Sequence, residues 1–179
     1  MRLRRAVAKA CFAPSFTLSH WGERHGVDGL TYNPGVHLYS HYTALDNAPQ
    51  TIRAIAAEIP TARTWLDVGS GTGMFARAVR AQGGSVSACE HSRLARAIGR
   101  LYGIHIAPLD LTRDVPVDGP GRFDIAYSFE VAEHLPADLG DRLVELLARS
   151  APVVVFSAAH PGQYGQGHVN GGCPVARRT

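Results

Sequence analysis

A glycine-rich turn in the first half of the chain is the strongest indication of a ligand site. The segment LDVGSGTG at residues 66–73 places three glycines at alternate positions. Glycine lets a ligand approach the backbone where a side chain would clash, and a turn that opens a helix exposes amide groups. The run Gly71-x-Gly73-x-x-Ala76 also fits a dinucleotide-binding pattern. Glycine spacing therefore predicts a nucleotide-containing cofactor without deciding which one.

Two carboxylates near this turn narrow the choice of cofactor. Glu90 lies 17 residues after Gly73, at the end of a predicted strand, where it could accept hydrogen bonds from vicinal ribose hydroxyls. The other interpretation of Glu90 is a helix-capping or solvated carboxylate before Ser92. Asp67 lies two residues before the first glycine. A carboxylate there suits an ammonium and a sulfonium but would repel a pyrophosphate, which favours S-adenosylmethionine over NAD.

Alternating predicted strands and helices must position these residues. Apolar runs predict strands at 65–68, 85–89, 103–107, 123–129 and 153–156, and helices at 48–59, 72–82 and 92–101. An amphipathic helix is marked by Leu139, Leu143, Leu146 and Leu147. This alternation predicts an α/β fold with a mainly parallel sheet covered on both faces. Ligands bind such sheets beyond the carboxyl ends of the strands, where the singled-out residues lie.

The ordered motifs identify a family resemblance. The segment at 66–73 resembles the first motif of class I S-adenosylmethionine-dependent methyltransferases of the small-molecule type. Further matches are PLDL at 108–111, FDI at 123–125 and FEVAEHL at 129–135, so that the resemblance covers roughly residues 64–157. It implies a Rossmann-like three-layer αβα sandwich with S-adenosyl-L-methionine as cofactor.

The resemblance also implies roles for individual residues. Gly69, Gly71 and Gly73 would line the methionine portion, with Asp67 ordering that loop or binding the ammonium group. Glu90 would hold the ribose, and Asp110 would accept from the adenine amino group, unless it is a simple turn carboxylate. Leu111 would pack near the ring, and Phe129 and Glu130 would border the cofactor. The complete predicted cofactor-binding set is Asp67, Gly69, Ser70, Gly71, Gly73, Glu90, His91, Asp110, Leu111, Phe129 and Glu130.

Two histidines are candidates for proton transfer. Methyl transfer from an activated donor mainly needs the nucleophile held in line, and a base helps when the nucleophile starts protonated. His134 follows Glu133 beyond the fourth predicted strand, and His168 lies in a polar glycine-rich loop after the fifth. We predict His134 and His168 as catalytic residues. A helix-capping role for His134 and a disordered loop around His168 are the alternatives.

The N-terminal residues 1–46 are predicted to form an irregular segment. It is rich in His, Tyr, Gly and Asn and contains the turn signal Asn33-Pro34-Gly35. His37 and His41 would share a face if this part were helical, but no third ligand is evident and no metal site is predicted. We expect a lid over the cofactor or substrate formed by Tyr32, Tyr39, His41 and Tyr42.

The cofactor-binding domain is predicted over residues 47–160, followed by a glycine-rich tail at 161–179. After Ser157 only 22 residues remain, with five glycines, whereas the family usually completes seven strands. We therefore expect the last two strands to be lacking and the tail to be truncated or disordered. An unpaired strand edge tends to associate, so a homo-oligomer or a partner is expected to cover it.

Composition limits the remaining functions. Hydrophobic residues make up 45% of the 179-residue chain and charged residues 18%, as in a globular protein. The net charge of +3 comes largely from the ends, which makes a nucleic-acid partner unlikely. Three cysteines without a C-x-x-C pair and an N-terminal apolar run too short for a membrane span indicate a cytoplasmic protein, with an organelle transit peptide as the alternative.

The sequence thus predicts methyl transfer from S-adenosylmethionine to an O, N or C nucleophile of a small molecule. A non-catalytic, methyltransferase-like S-adenosylmethionine-binding subunit is the second interpretation. An NAD-dependent oxidoreductase is the third.

Overall fold

The computed structural model describes residues 2–113, 122–160 and 168. Four helices come first: α1 (Arg2–Cys11), α2 (Ala13–Arg24), α3 (Asp28–Thr31) and α4 (Pro34–Glu58). The alternating part comprises β1 (Thr64–Val68), α5 (Met74–Ala81), β2 (Ser85–Glu90), α6 (Arg93–Leu101), β3 (Ala107–Pro108), β4 (Ile125–Phe129), a 3₁₀ turn (Ala132–His134), α7 (Ala137–Ser150) and β5 (Val153–Ser157). The predicted tail at 161–179 lies outside the described residues apart from His168.

The five strands form one parallel sheet in the order β3-β2-β1-β4-β5. Leu66 of β1 is paired with Ser87 of β2 on one side and with Ala126 of β4 on the other. The chain therefore builds outward from β1 to β3 and then crosses to the opposite side of β1. Ligands of such sheets bind at this reversal, beyond the carboxyl ends of β1 and β4.

Two hydrophobic cores cover the two faces of the sheet. On one face Ile52 of α4 and Val79 of α5 pack with Trp65 and Tyr127 of the sheet. On the other face Leu143 and Leu147 of α7 pack with Val68 and Ala126. This confirms the predicted α/β, Rossmann-like three-layer αβα sandwich, and within the described residues the sheet has five strands.

Three predicted element boundaries are wrong. The third strand covers only Ala107–Pro108 instead of 103–107, and the fourth begins at Ile125 rather than at 123. Helix α5 begins at Met74 rather than at 72, because Gly73 has a left-handed φ of 78° that no helical residue adopts.

The prediction of an irregular segment over 1–46 is also wrong, because four helices occupy most of it. Helix α4 spans 25 residues and passes through the predicted boundary between residues 46 and 47. The predicted turn Asn33-Pro34-Gly35 is instead the start of this helix. The Asn33 side chain accepts hydrogen bonds from the amides of Gly35 and Val36, and Pro34 occupies the first helical position, where its missing N–H costs nothing.

Close backbone packing holds α2 against α3 and the start of α4. A Cβ added to Gly35 would lie 1.9 Å from the Ser15 Oγ, and one added to Gly22 would lie 2.7 Å from the Leu30 Cβ. Only glycine fits either position. The buried Ser19 hydroxyl donates to the Thr31 carbonyl across the same contact.

Asn33 should make a large contribution to the stability of this helical unit. Besides capping α4, its buried side-chain amide donates to the carbonyls of Ser15 and Leu30, at 2.9 Å each. We expect Asn33→Ala to lower the free energy of unfolding by about 2 to 4 kcal/mol, since it removes a cap and the donor of two part-buried hydrogen bonds. Chemical denaturation measures this. Gln50→Ala, at an exposed position of the same helix, should change it by less than about 0.5 kcal/mol, and equal losses would contradict the assignment.

Strand β5 is the outermost strand of the described sheet on the β4 side, and Val154 is 41% exposed. Across the described ranges, no helix combines the length and the apolar character needed to cross a membrane.

Candidate active site

The glycine loop between β1 and α5 is fastened to the neighbouring strand. The amides of Gly69 and Ser70 donate to the Cys89 carbonyl at 2.9 and 3.0 Å. A Cβ on Gly69 would lie 2.5 Å from the Val131 Cγ2, and one on Gly73 would lie 2.7 Å from the Ile104 Cγ2. Gly71 differs, because a Cβ there would meet nothing within 4 Å. Gly69 and Gly73 are thus required by packing, whereas Gly71 borders open space at the end of β1.

This difference gives a matched pair of variants. Gly71 and Gly83 both have positive φ, 54° and 80°, and neither has atoms within 4 Å of an added Cβ. We expect Gly71→Ala and Gly83→Ala to lower the free energy of unfolding by similar amounts, roughly 1 to 2 kcal/mol each. A residue other than glycine is strained by that amount in the left-handed region. Only Gly71→Ala should weaken S-adenosylhomocysteine binding, by about 10-fold or more in calorimetric titration. Equal affinities for the two variants would show that no ligand approaches Gly71.

Asp67 is the buried acid of the site. It is 3% exposed, and its Oδ2 has no hydrogen-bond partner within the described residues. Burial raises the pKa of Asp67 to about 8; the charge of Glu90 contributes to the rise, and the Tyr127 hydroxyl opposes it. A carboxyl that is costly to ionise on its own becomes favourable to ionise when a cation binds beside it.

Glu90 joins the glycine loop to the end of β2. Its Oε2 accepts from the Gly71 amide at 2.9 Å, and its Oε1 accepts from the Ser92 amide at 2.7 Å. The contact with Ser92 is part of the capping interpretation made from the sequence. The contact with Gly71 additionally places this carboxylate beside the open space in the glycine loop, so the two interpretations are compatible.

A surface cavity of about 580 Å³ opens between the segments that follow β2 and β3. Its lining includes His91, Ser92, Leu109 and Asp110. The His91 Nδ1 lies 3.2 Å from the Leu109 carbonyl, which joins the two segments. Volumes of this size accommodate small ligands.

The Asp110 carboxylate is already engaged by its own turn. Its Oδ1 accepts from the amide and hydroxyl of Thr112 at 3.0 and 2.6 Å, and Arg113 lies 3.4 Å from Oδ2. The Thr112 hydrogen bonds, together with the Arg113 charge, lower the pKa of Asp110. Leu111 packs with the core under α7, and its carbonyl accepts from Arg142 at 3.1 Å.

The end of β4 carries a strained residue. Glu130 has a φ of 56°, the one described non-glycine residue with positive φ, and such strain often marks functional positions. Its amide donates to the Ser157 carbonyl at 2.9 Å, and the Ser157 hydroxyl donates to its Oε1 at 2.8 Å. Phe129 precedes it, with its ring centroid 4.9 Å from that of Phe75.

The two histidines predicted as catalytic residues lie together. The ring centroids of His134 and His168 are 5.2 Å apart, although the residues are separated by 34 positions in the chain. The Tyr32 ring meets the His134 ring edge-on at 5.9 Å. Glu133, directly before His134, is 1% exposed, and neither of its carboxylate oxygens has a hydrogen-bond partner within the described residues. Burial raises the pKa of Glu133.

Helix α4 brings two further histidines to the glycine loop and α6. The His37 Nε2 lies 3.1 Å from the Ser92 Oγ, and the His41 Nδ1 lies 2.9 Å from the Thr72 Oγ1. Burial lowers the pKa of both imidazoles. They contact different loops instead of converging on one point. Sequence spacing placed the pair on one helix face but gave no sign of these partners.

The four residues of the predicted lid lie in different surroundings. The Tyr39 ring packs edge-on against Phe12 and Phe16, with ring centroids 5.9 and 4.9 Å apart. Its covering role stays a prediction. Tyr42 is half-buried on α4, and the ring centroids of His41 and Tyr102 are 4.2 Å apart. Tyr32 lies beside His134, so it is the lid candidate that borders the predicted catalytic residues.

The features at the end of β1 fit S-adenosylmethionine. Asp67 offers an unpartnered buried carboxylate oxygen, Gly71 borders open space, and the buried Ser70 Oγ also has no partner within the described residues. The ammonium and ribose of such a cofactor need acceptors of the kind that Asp67 and Glu90 provide.

Comparisons with known proteins identify the family of the chain. A family model for a methyltransferase domain matches residues 39–159. No curated protein matches the chain. One similar solved structure is CalS10 with SAM bound, an amino pentose methyltransferase from Micromonospora echinaspora, which is 24% identical with a TM-score of 0.55 and aligns over 68% of this chain and 53% of its own.

Two further solved structures resemble the chain to a similar degree. The sugar N-methyltransferase KedS8 from Streptoalloteichus sp ATCC 53650 is 26% identical with a TM-score of 0.52, over 68% of this chain and 51% of its own. DesVI from Streptomyces venezuelae is 20% identical with a TM-score of 0.56, over 68% and 54%. The chain spans about half the length of these structures. On the match over residues 39–159, the chain belongs to the methyltransferase domain family, whose class I members use S-adenosylmethionine.

Proposed function

We propose that this chain binds S-adenosylmethionine and transfers its methyl group to an O, N or C nucleophile of a small molecule. The observation that carries the proposal is the buried Asp67, with an unpartnered carboxylate oxygen, at the base of a loop in which Gly71 borders open space. Glu90 extends this arrangement to the next strand, where a ribose would lie.

Different residues of the chain bind different parts of the cofactor. When bound, S-adenosylmethionine supplies a methyl group already activated by its sulfonium. Asp67 accepts from the ammonium group, and Glu90 accepts from the ribose hydroxyls in exchange for its contacts with Gly71 and Ser92. Ser70 and Gly71 line the methionine end, and the cavity beside His91 and Asp110 takes the adenine. Phe129 and Glu130 border the cofactor from β4.

Proton transfer is assigned to the paired histidines. An acceptor hydroxyl or protonated amine must lose a proton as the methyl group arrives, and a positioned base contributes about 100-fold or more. His134 and His168 both follow strands that end at the cofactor side of the sheet. Val131, three residues before His134, contacts the glycine loop, so the segment that carries His134 adjoins the cofactor loop.

The acceptor class is inferred from the similar structures. KedS8 is a sugar N-methyltransferase, and its 26% identity over 68% of this chain makes amino sugars the first acceptors to test. The sequence SFEV at 128–131 also differs from the motif typical of enzymes that methylate bases, which disfavours nucleic acid.

Two other functions can be distinguished from methyl transfer by experiment. A non-catalytic S-adenosylmethionine-binding subunit is the second candidate, and it predicts cofactor binding without methyl transfer. NAD-dependent oxidoreduction is disfavoured because a pyrophosphate at the glycine loop would supply no cation to neutralise the buried Asp67 carboxylate. We further infer that a partner or a second copy covers the exposed edge of β5. We also infer a cytoplasmic location, in which Cys11 and Cys89 stay free thiols.

Methyl transfer from labelled S-adenosylmethionine to a panel of amino sugars and hydroxylated metabolites tests the proposal. We expect one acceptor class to be labelled, and His134→Gln to lower kcat by about 100-fold while cofactor affinity stays within about 2-fold. His20→Gln, an exposed histidine on α2, is the matched control and should leave both unchanged. Cofactor binding without transfer to any acceptor would instead favour the binding subunit.

A further inference from the structure

A second cluster of polar side chains lies beside the cofactor loop, where β4 and β5 end. Glu133, His134 and His168 each contribute one oxygen or nitrogen atom to this cluster, and these three atoms all lie within 4.8 Å of one another. Glu133 and His134 belong to the 3₁₀ turn after β4, and His168 follows β5. Residues distant in the chain therefore converge on one location.

The Glu133 carboxylate is buried and lies next to the Glu130 carboxylate. Its side chain is 1% exposed, and neither oxygen has a hydrogen-bond partner there. A buried, unpartnered carboxylate costs free energy unless a proton or a cation neutralises it. Glu130 adds a second negative charge next to Glu133, which increases the attraction for a cation.

The donor set indicates the kind of cation. Two imidazoles and one carboxylate suit divalent first-row transition metals, whereas Mg²⁺ and Ca²⁺ prefer oxygen ligands alone. Ligand atoms about 2.0 to 2.2 Å from one ion at tetrahedral angles are about 3.3 to 3.6 Å apart, so atoms that lie within 4.8 Å of one another would need to close by up to about 1.5 Å. We propose that Glu133, His134 and His168 bind a divalent transition-metal cation such as Zn²⁺ or Mn²⁺, with coordination positions left open.

The position of this cation suggests its use. Val131 packs on Gly69, so the turn that carries Glu133 and His134 adjoins the glycine loop. An open metal position there would take an acceptor oxygen and lower the pKa of a bound hydroxyl, with His134 and His168 acting as ligands instead of bases. This use rests on the proposed function, but the metal site itself does not.

Calorimetric titration of the metal-free full chain with Zn²⁺, Mn²⁺ and Mg²⁺ tests the site without any substrate. We expect one Zn²⁺ or Mn²⁺ per chain and at least about 10-fold weaker binding of Mg²⁺. Co²⁺ should give a visible absorption spectrum that is lost in His168→Ala. Failure to bind Zn²⁺ and Mn²⁺, or binding of Mg²⁺ alone, would overturn the proposal.

Variants connect the binding to the three side chains. Glu133→Gln, His134→Ala and His168→Ala should each weaken Zn²⁺ binding by about 10-fold or more, whereas His105→Ala and Glu145→Gln, both exposed and remote in the chain from the cluster, should not. Glu133 is buried, so its variant is checked by thermal unfolding, and His168→Ala carries the test if Glu133→Gln does not fold. Unchanged Zn²⁺ affinity in His168→Ala would refute the site. Separate S-adenosylhomocysteine titrations show whether the cofactor assignment fails independently.

Discussion

Asp67→Asn should stabilise the protein without cofactor and weaken its binding of S-adenosylmethionine. Burial raises the pKa of Asp67 from 3.8 to about 8, so folding disfavours its ionised form. Such a group contributes full stability below its unfolded pKa and loses that contribution as pH rises toward 8. Asparagine does not titrate. The melting temperature of Asp67→Asn should therefore exceed that of the unsubstituted protein by about 5 °C at pH 8, and by less at pH 5.

Cofactor affinity should change in the opposite direction to stability in Asp67→Asn. Without its carboxylate the variant has no charge for the cofactor's ammonium group, and we expect affinity to fall by about 10-fold or more. A variant that is more stable but binds less tightly is the behaviour of a residue kept for function. A melting-temperature difference that does not change between pH 5 and pH 8 would contradict the buried-acid account.

Asp124→Asn is the matched control for Asp67→Asn. The Asp124 Oδ2 accepts from the amides of Arg63 and Thr64 at 2.7 and 2.8 Å, and these hydrogen bonds lower the pKa of Asp124. Its stabilising contribution is present above the unfolded pKa and is lost as pH falls through the lower folded value. Asp124→Asn should therefore destabilise the fold at pH 7 and leave cofactor affinity nearly unchanged.

Glu90→Ala should cause the largest loss of cofactor affinity. Two hydrogen bonds from ribose hydroxyls to a carboxylate contribute about 1.5 to 3 kcal/mol each, so we expect binding of S-adenosylhomocysteine to weaken by at least roughly 100-fold. Glu90→Gln keeps one carbonyl acceptor, so its affinity for S-adenosylhomocysteine should lie between those of the unsubstituted protein and Glu90→Ala. Calorimetric titration measures all three proteins.

Stability must be separated from binding in this experiment. Glu90 also accepts from Gly71 and Ser92, so its loss loosens the glycine loop as well. Glu58→Ala, at the exposed end of α4, provides the control for a lost surface carboxylate and should bind normally. If Glu90→Ala bound S-adenosylhomocysteine as tightly as Glu58→Ala, Glu90 would have no place in the ribose site.

The sequence predicted the sheet well because the strands are short apolar runs separated by glycine turns. The positions of Asp67 and Glu90 follow from that pattern, since each lies at or near the carboxyl end of a buried strand. The sequence-based prediction failed for residues 1–46. Helices α2 and α4 are held there by close contacts at Gly22 and Gly35 and by the buried amide of Asn33, and not by an apolar stripe. Periodicity carries no signal for packing of that kind.

Side-chain partners were the second thing that the sequence could not provide. His37 and His41 were recognised as a pair, but their contacts with Ser92 and Thr72 depend on how α4 lies against the glycine loop and α6. The sequence places Glu133 next to His134, but its proximity to His168 depends on a contact between residues on either side of β5. Long-range contacts of this kind require the fold.

The account depends most directly on which cofactor the glycine loop binds. Parallel calorimetric titrations of the unsubstituted chain with S-adenosylmethionine, S-adenosylhomocysteine and NAD decide this. We expect both S-adenosyl compounds to bind one per chain, and NAD to bind at least about 100-fold more weakly because its pyrophosphate offers Asp67 no ammonium group to pair with. Binding of NAD without binding of either S-adenosyl compound would contradict the assignment of the site.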